Sequence, residues 1–241
     1  MTRINCDAAI GVVAGREHRR SARNGQDAAA LRLGRTTAVA VVADGCGSAP
    51  RSEVGAELGA RLCAAAALAA LEAGAPATDP ATWTAVGDRV RAALIPLTAA
   101  AGVDLAGDCL LFTLVGAALT ADAAVIFALG DGHWAIDGVA HSLGPFVDNA
   151  PPYLMQERGA LALVAATDAT ELIVATDGAD PIDLPALAAD PLVWRNPDGL
   201  RRRLARLAAD DLDIDWDARA VRRTVGPLTD DCAVAMLRRR P

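Results

Sequence analysis

Residues 36–48 read TTAVAVVADGCGS and set the pattern for the rest of the chain. The apolar run from Thr36 to Ala43 predicts a buried strand, and an aspartate and a glycine, Asp44 and Gly45, follow it directly. Glycine lets the backbone turn sharply, so the aspartate is expected to project from a rigid strand end while the next carbonyl stays accessible. The stretch therefore predicts a strand that presents oxygen atoms at its tip.

Three more segments combine an apolar strand with aspartate. Two place the aspartate after the strand and the third places it before; they are Phe127-Ala128-Leu129-Gly130-Asp131-Gly132, Val174-Ala175-Thr176-Asp177-Gly178 and Leu228-Thr229-Asp230-Asp231. One Asp-Gly pair alone is typical of a hairpin turn. Four such segments in one chain instead indicate an oxygen-only site for a hard divalent cation such as Mg²⁺ or Mn²⁺.

The remaining periodicity predicts strands and helices in separate groups. The predicted strands are 5–14, 27–33, 36–43, 110–119, 123–129, 133–136, 139–142, 160–165, 171–176 and 232–237, and the predicted helices are 51–73, 79–100, 184–189 and 197–209. This order lacks the strict alternation of a parallel sheet, so the predicted fold class is α+β. Because no linker divides the chain, we expect one domain that spans residues 1–241.

Composition excludes several classes of protein. The chain has 241 residues, 53% of them hydrophobic, and a formal net charge of −7; this acidic balance argues against a protein that binds the phosphates of nucleic acid. Its five cysteines form no C-x-x-C pair, which argues against a disulfide framework and favours a cytoplasmic protein. Residues 1–13 lack a basic start followed by an unbroken apolar core, so no signal peptide is expected. The longest apolar stretch, residues 109–130, is interrupted at Asp122, so two strands are expected there and no membrane span.

The motifs taken together resemble the metal-dependent Ser/Thr protein phosphatases of the PP2C class, in their divergent bacterial branch. The resemblance extends over nearly the whole chain and follows the family's order. Its motifs are Gly15, His18 and Asn24-Gly25-Gln26-Asp27-Ala28; Val42 to Ala49 with Ser52 and Gly55-Ala56; Gly130-Asp131-Gly132; Ala175-Thr176-Asp177-Gly178; and Asp230-Asp231. The family's fold is a four-layer αββα sandwich of two antiparallel sheets flanked by pairs of helices, which agrees with the α+β interpretation.

The resemblance implies a metal-binding role for the strand-end residues. Asp44 would bridge two metal ions, and Gly45 would offer its carbonyl oxygen to one of them. Asp177 and Asp230 would complete the ligand set of the other ion, while Asp131 would contribute to a third, weaker site. The implied catalytic residues are Asp44, Asp177 and Asp230, and the implied cofactors are two Mn²⁺ or Mg²⁺ ions.

The resemblance also implies a reaction and a partner. The two cations would activate a bridging water that attacks phosphorus in phosphoserine or phosphothreonine of a protein, opposing a Ser/Thr kinase. Asp27 would hold metal-bound waters, with help from Gln26. Phosphate also requires a cationic contact, for which the arginine fork is well suited. The candidates lie in one loop: they are His18 and the arginines Arg16, Arg19, Arg20 and Arg23, and the predicted contacts are Arg16, His18 and Arg23.

The sequence departs from the family's pattern at three places. Cys46 stands where eukaryotic members have a histidine proposed as general acid, Asp108-Cys109 replace small hydroxyl residues, and Cys232-Ala233 stand where the closing motif often has a hydroxyl residue. These departures leave an alternative open, a weak or inactive pseudo-phosphatase that serves as a metal-binding regulatory module. Retention of Asp44, Asp177 and Asp230 together favours the active enzyme, because three like charges at one place need a metal between them.

Two stretches carry separate expectations. Residues 211–217 alternate aspartate with apolar side chains; they resemble a calcium loop but have Trp216 and Arg222 where glycine and glutamate are required, so an edge strand is predicted. The segment from Gly144 to Gly159 is rich in turn formers and is predicted to be a surface flap over the site.

Overall fold

The strands and helices lie in four layers in the computed structural model of the chain, which describes residues 4–101, 105–156 and 159–240. Within these residues the strands are β1 (Cys6–Val13), β2 (Ala28–Leu33), β3 (Ala38–Ala43), β4 (Leu114–Leu119), β5 (Ala124–Leu129), β6 (Gly132–Ile136), β7 (Val139–Leu143), β8 (Ala162–Thr167), β9 (Glu171–Ala175), β10 (Asp211–Asp215), β11 (Ala220–Thr224) and β12 (Cys232–Arg239). The helices are α1 (Arg16–Arg20), α2 (Ser52–Glu72), α3 (Pro80–Ala101), α4 (Leu105–Cys109), α5 (Leu184–Ala189) and α6 (Gly199–Ala208).

Five antiparallel strands form sheet I, in the order β2-β3-β4-β5-β8. Every residue of β3, β4 and β5 is buried, which explains why these strands are continuous apolar runs in the sequence. The backbone N–H of Thr120 donates to the carbonyl of Ala123 and closes the turn between β4 and β5. The interruption at Asp122 is therefore a hairpin turn, as predicted.

The other five-stranded sheet, sheet II, has the order β1-β12-β9-β6-β7 and is also antiparallel. Strand β12 lies between β1 and β9, so strands from the two ends of the sequence pair directly with each other, with β1 at the edge of the sheet. Asp137 and Gly138 both have positive φ, at 43° and 82°, and form the tight turn between β6 and β7.

Apolar side chains fill three spaces between the four layers. Helices α2 and α3 cover sheet I, where Trp83 stacks on Phe127 with ring centroids 4.0 Å apart. The two sheets face each other across a core of small and branched residues that includes Val42 and Val174. Helices α5 and α6 cover sheet II, with Leu204 among the buried residues. The α+β class and the four-layer sandwich are thus confirmed.

Helix α2 is long and apolar enough to cross a membrane by length and composition alone, and half of its most apolar stretch is buried inside the molecule. Its buried residues, including Ala56, Ala60 and Ala67, belong to the core that covers sheet I. Packing on a sheet therefore accounts for the composition of this helix.

Several local expectations differ from the structure. The polar loop after β1 contains the short helix α1, which carries no buried residue and so shows no apolar stripe in the sequence. The strand predicted from residue 110 begins at Leu114, because α4 occupies the chain up to Cys109. The predicted strand at residues 211–217 is present as β10, but it pairs with β11 alone in a two-stranded hairpin outside both sheets.

Candidate metal centre

The strand-end aspartates meet at one end of the two facing sheets. Asp44 follows β3 and Asp177 follows β9, whereas Asp131 follows β5 after Gly130, whose φ of +91° turns the chain. These three residues line one cavity of about 500 Å³ together with Asp230 and Asp231, which precede β12. Gly45 and His18 line the same cavity. The structure thus brings together strand ends that are far apart in the sequence.

The carboxyl groups in and behind this cavity lie very close to one another. Asp44 is in hydrogen-bonding contact with Asp27 and with Asp177, so the negative charges of these carboxylates repel one another when no cation is present. Burial raises the pKa of Asp27 to about 8, and the charge of Asp231 adds to this effect, while the hydroxyl of Thr176 donates to Asp27 Oδ2 over 2.6 Å and opposes it.

The other carboxyl groups shift in the same direction. Burial is the largest cause that raises the pKa of Asp44 well above its usual value, and the neighbouring charges of Asp27 and Asp177 add to it. Burial also raises the pKa of Asp177, with Asp131 as the next contributor. The pKa of Asp131 is raised by burial as well, although a hydrogen bond with Thr113 lowers it in part. A set of carboxylates that repel one another at neutral pH calls for a cation.

The donor atoms fit a hard divalent cation. Oδ1 of Asp131 and Oε1 of Gln26 are buried and have no hydrogen-bond partner among the described residues. No arginine of the described chain lines the cavity to neutralise its carboxylates. Oxygen atoms without partners, gathered at rigid strand ends, are the ligands that Mg²⁺ and Mn²⁺ prefer.

Asp231 has a structural role that the sequence analysis missed. Its buried carboxylate accepts hydrogen bonds from the backbone N–H of Gly15 at 2.7 Å and of Gln26 at 2.5 Å, and from Nδ1 of His18 at 2.6 Å. Asp230, by contrast, is exposed, and its Oδ1 accepts from the N–H of Asp231 at 2.8 Å. The second aspartate of the doublet therefore positions the loop, while the first faces the cavity; the doublet itself was the only sequence signal for this division.

Two glycines make room for the doublet. A Cβ at Gly15 would overlap the backbone of Asp230, and a Cβ at Gly178 would overlap the carbonyl oxygen of Asp231. The loops after β1 and β9 therefore contact the doublet backbone to backbone, which only glycine permits at these two positions.

Gln26 ties the loop to sheet I and α2. Its Nε2 donates to Oγ of Ser52 at 2.6 Å and to the carbonyl of Ala49 at 3.1 Å. The hydroxyl of Ser52 in turn donates to the carbonyl of Cys46 at 3.0 Å. Gln26 and Ser52, which both belong to the motifs above, therefore hold the turn that follows Asp44.

The three candidate phosphate contacts occupy different places. His18 lines the cavity, and its Nδ1 is held by Asp231. Arg16 lies outside the cavity, in a depression that it shares with Arg19 and Arg20. Arg23 is exposed and lines neither of these pockets. The structure therefore brings only His18 of this group to the carboxylates.

The segment from Gly144 to Gly159 forms part of the cavity wall through Pro151 and Tyr153. Leu154 is fully buried in the core of sheet I, and Nε of Arg91 donates to its carbonyl at 3.0 Å. In the described part of this segment, residues 144–156 and 159, the chain around Leu154 is thus anchored as a wall. The predicted flap motion finds no support in these contacts.

Cys46 lies in the cavity on the same side as Tyr153. Burial raises the pKa of the Cys46 thiol, but hydrogen bonds with Ser48, at 3.1 Å, and with Tyr153 outweigh it and lower the pKa overall. Cys109 and Cys232, at the other departures, are buried and do not line the cavity. Only the first departure therefore affects the site directly.

We expect the metal-free protein to lose stability as the pH rises from about 5.5 to 8.5. Folded carboxyl groups with raised pKa bind more protons than the unfolded chain, so their stabilisation is complete only below the unfolded pKa and disappears as the pH rises through the folded pKa, which for Asp27 is about 8. Bound Mn²⁺ replaces these protons, so its stabilising effect should be larger at pH 8.5 than at pH 5.5.

Thermal unfolding with EDTA and with Mn²⁺ measures both effects, at about 2–4 °C in Tm for each kcal/mol in a chain of this size. The exposed variant Asp122→Asn should keep the wild-type pH dependence. A metal-free Tm that rises with pH over this range would contradict the protonated carboxyl cluster.

Comparison with known proteins agrees with this geometry. Residues 14–209 match the family model described as Protein phosphatase 2C. No curated protein matches the chain. Solved structures with a similar fold include the serine/threonine phosphatase Stp1 from Staphylococcus aureus, with 12% identity, a TM-score of 0.60 and coverage of 100% of this chain and 98% of that chain.

Two further structures share the fold over nearly their full length. The serine/threonine phosphatase of S. agalactiae is 15% identical, with a TM-score of 0.60 and coverage of 98% of this chain and 100% of that chain. The catalytic domain of PstP, in complex with two manganese ions, is 15% identical, with a TM-score of 0.56 and coverage of 98% of both chains. The family model and the carboxylate cavity between two antiparallel sheets lead to one conclusion: the chain belongs to the protein phosphatase 2C family of metal-dependent serine/threonine phosphatases.

Proposed function

We propose that the chain hydrolyses phosphoserine and phosphothreonine esters of proteins in the cavity between the sheet ends. The observation that carries this proposal is the contact of Asp44 with both Asp27 and Asp177, in a cavity with unpartnered buried oxygens. The residues that would hold two Mn²⁺ or Mg²⁺ ions are Asp44, the carbonyl of Gly45, Asp177 and Asp230, with Asp131 at a third ion and Asp27 acting through water.

When bound, the cations neutralise phosphate oxygens and lower the pKa of a water, which is the chemistry that phosphoester hydrolysis needs. The chain's own residues orient these groups. Thr176 fixes Asp27 from behind through a hydrogen bond of 2.6 Å, so that Asp27 can face Asp44. Rigid strand ends keep the carboxylates in place, which reduces the reorganisation needed during reaction.

His18 is the side chain that we propose for contact with the phosphoryl group. Its Nδ1 donates to Asp231, so Nε2 is the ring nitrogen left for a ligand in the cavity. The anchoring of Asp231 by two backbone N–H groups holds the imidazole in position. Arg16 and Arg23, which lie outside the cavity, are less suited to this contact.

The alternative of an inactive metal-binding module rests on one residue in the cavity. Cys109 lies outside the cavity, so the departure at that position concerns packing beneath α2. Cys46 leaves the cavity without the histidine of eukaryotic members, yet the carboxylates are all present. No observation favours the inactive module over the enzyme.

We further infer that residues 1–241 act as one cytoplasmic domain whose partners are phosphorylated proteins and the kinase that modifies them. Support for a single unit comes from sheet II, which pairs β1 directly with β12. No membrane or nucleic-acid partner is proposed, in keeping with the burial of α2 and the net charge of −7.

Hydrolysis of p-nitrophenyl phosphate and of a phosphoserine peptide tests the proposal. We expect turnover with Mn²⁺ or Mg²⁺, a loss of about 100-fold or more with EDTA, and recovery when metal is restored, because no arginine among the described residues lines the cavity to take the place of the cations. Turnover that EDTA leaves unchanged would contradict the metal site. Mn²⁺ binding without turnover of either substrate would favour the regulatory module.

A further inference from the structure

The hairpin of β10 and β11 exposes an apolar face that nothing in the described chain covers. Leu212 is 61% exposed, Ile214 47%, Trp216 79% and Val221 65%. The alternation of these residues in the sequence is typical of a strand with one buried face, but the hairpin stands outside both sheets. It also lies beyond residues 14–209, so the family match assigns it no role.

The register of the hairpin gathers its apolar residues on one face. Leu212 is opposite Arg223, and Ile214 is opposite Val221. Directly opposed residues of antiparallel strands point to the same side, as do residues two apart on one strand. Leu212, Ile214, Val221 and Arg223 therefore share one face, which we call the hairpin face.

Arg223 connects the hairpin face to a basic depression. This depression, of about 280 Å³, is lined by Arg16, Arg19 and Arg20 of α1 and by Ala209, Asp210 and Arg223. Asp210 is the one carboxylate that lines it, and this residue is paired with Arg223. Nε of Arg16 is buried without a hydrogen-bond partner in the described chain. The depression therefore has an excess of positive charge in a protein whose net charge is −7.

Helix α1 also connects this depression to the catalytic cavity. Glu17 and His18 of the same short helix line the cavity, and the N–H of Glu17 donates to the carbonyl of Thr229 at 3.2 Å. Residues on opposite sides of α1 thus belong to neighbouring pockets. A chain that enters the cavity at His18 can continue over the arginines and onto the hairpin face.

We propose that the basic depression and the hairpin face form a docking surface for an acidic segment of the phosphorylated protein substrate, with an apolar side chain against Leu212. Charge complementarity supports this occupant, because four arginines line the depression and its one carboxylate is already paired with Arg223. The aspartates of β10, at 211, 213 and 215, alternate with Leu212 and Ile214 and therefore lie on the opposite face of the hairpin. The exposed leucine, isoleucine and valine share one face and offer a contact for an apolar side chain of the partner. The inference rests on the proposed function, since it names the substrates of that site.

The first measurement is direct binding of peptides to the metal-loaded protein. Three fluorescein-labelled peptides share a leucine and differ only in a flank of acidic, neutral or basic residues. We expect the acidic peptide to bind about tenfold more tightly than the neutral one, with an affinity that falls as salt is added. Equal affinities, or a preference for the basic peptide, would overturn the proposal, and this result does not depend on hydrolysis.

Matched variants locate the binding surface. Arg20→Glu and Leu212→Ser should each weaken binding of the acidic peptide by about three- to tenfold, as expected for exposed charged and apolar contacts. Arg202→Glu and Leu192→Ser, at positions that are exposed elsewhere on the molecule, should remain within about twofold of wild type. Equal effects in both sets would overturn the assignment.

Kinetics separate this proposal from the proposed function. Leu212→Ser should reduce kcat/KM for an acidic phosphoserine peptide by about three- to tenfold and leave p-nitrophenyl phosphate unchanged, because a small substrate does not reach the hairpin face. If wild type does not hydrolyse p-nitrophenyl phosphate at all, the proposed function is contradicted. The binding assay still tests whether the acidic peptide docks on this surface. A membrane surface is the other possible partner of the hairpin face. The proposal would be overturned if wild type sediments with phosphatidylserine vesicles, Leu212→Ser does not, and neither protein prefers the acidic peptide.

Discussion

Asp44→Asn is expected to lower kcat/KM for p-nitrophenyl phosphate by about three orders of magnitude, which corresponds to a loss of about 4 kcal/mol of transition-state stabilisation. The reason is that Asp44 contacts both Asp27 and Asp177 and is the central carboxylate of the cluster. An amide keeps the shape of the side chain but removes the negative charge that a divalent cation requires.

The same variant should be more stable than wild type when metal is absent. Removing one charge relieves the repulsion among buried carboxyl groups, so the metal-free Tm at pH 8.5 should rise while the increase produced by Mn²⁺ shrinks. This opposite sign distinguishes a lost ligand from a misfolded protein. The control is Asp122→Asn, an exposed turn residue that should change neither activity nor Tm. Wild-type activity in Asp44→Asn would refute the proposed metal centre.

Gly178→Ala is expected to destabilise the protein by about 3 kcal/mol or more, because a Cβ at this position would overlap the carbonyl oxygen of Asp231. The overlap is with backbone, so no side-chain rotation can relieve it. At about 2–4 °C for each kcal/mol, Tm should fall by roughly 6 °C or more. Any folded protein should also lose activity, because the Asp230–Asp231 doublet must move away from the cavity.

Gly47→Ala provides the matched control for Gly178→Ala. Gly47 lies in open space, and a Cβ added there would have no atom within 4 Å, so the Tm of this variant should remain within about 2 °C of wild type. Thermal unfolding of both variants in EDTA separates the packing effect from metal binding. If Gly178→Ala and Gly47→Ala have the same Tm, the loop after β9 can move to accept a Cβ. That result would contradict the close backbone packing of this loop on the doublet.

The layers and the strand ends were predictable because they depend on patterns that tertiary packing reinforces. The strands that bear Asp44, Asp131 and Asp177 are buried on both faces, and such runs are apolar in any context. Asp-Gly pairs at their ends mark turns whether or not a metal is bound. The order of motifs then indicated that distant strand ends share one site.

Helix geometry explains why Arg16 and His18, both predicted to contact phosphate, lie in different pockets. In an irregular loop, the side chains of Arg16 and His18 are equally able to reach phosphate. In α1 these residues are two apart, about 200° around the helix axis, and point to opposite sides. Only one of the two can face the cavity, and the contact with Asp231 selects His18.

The hairpin of β10 and β11 shows what a sequence pattern does not predict. Alternation in residues 211–217 correctly indicated a strand, but periodicity does not reveal whether the apolar side has anything to cover it. Likewise, nothing in the pattern separates the roles of Asp230 and Asp231, since only the partners of the second carboxylate make it structural.

The position of β12 between β1 and β9 determines when sheet II can form during synthesis on the ribosome. Sheet I, made from residues 28–167, can assemble while synthesis continues, but the first strand must wait unpaired until residues 232–239 emerge. Contacts between such distant residues form slowly. Because Asp230 and Asp231 directly precede β12, a nascent chain lacks part of the proposed metal site until residues 230–239 have emerged from the ribosome.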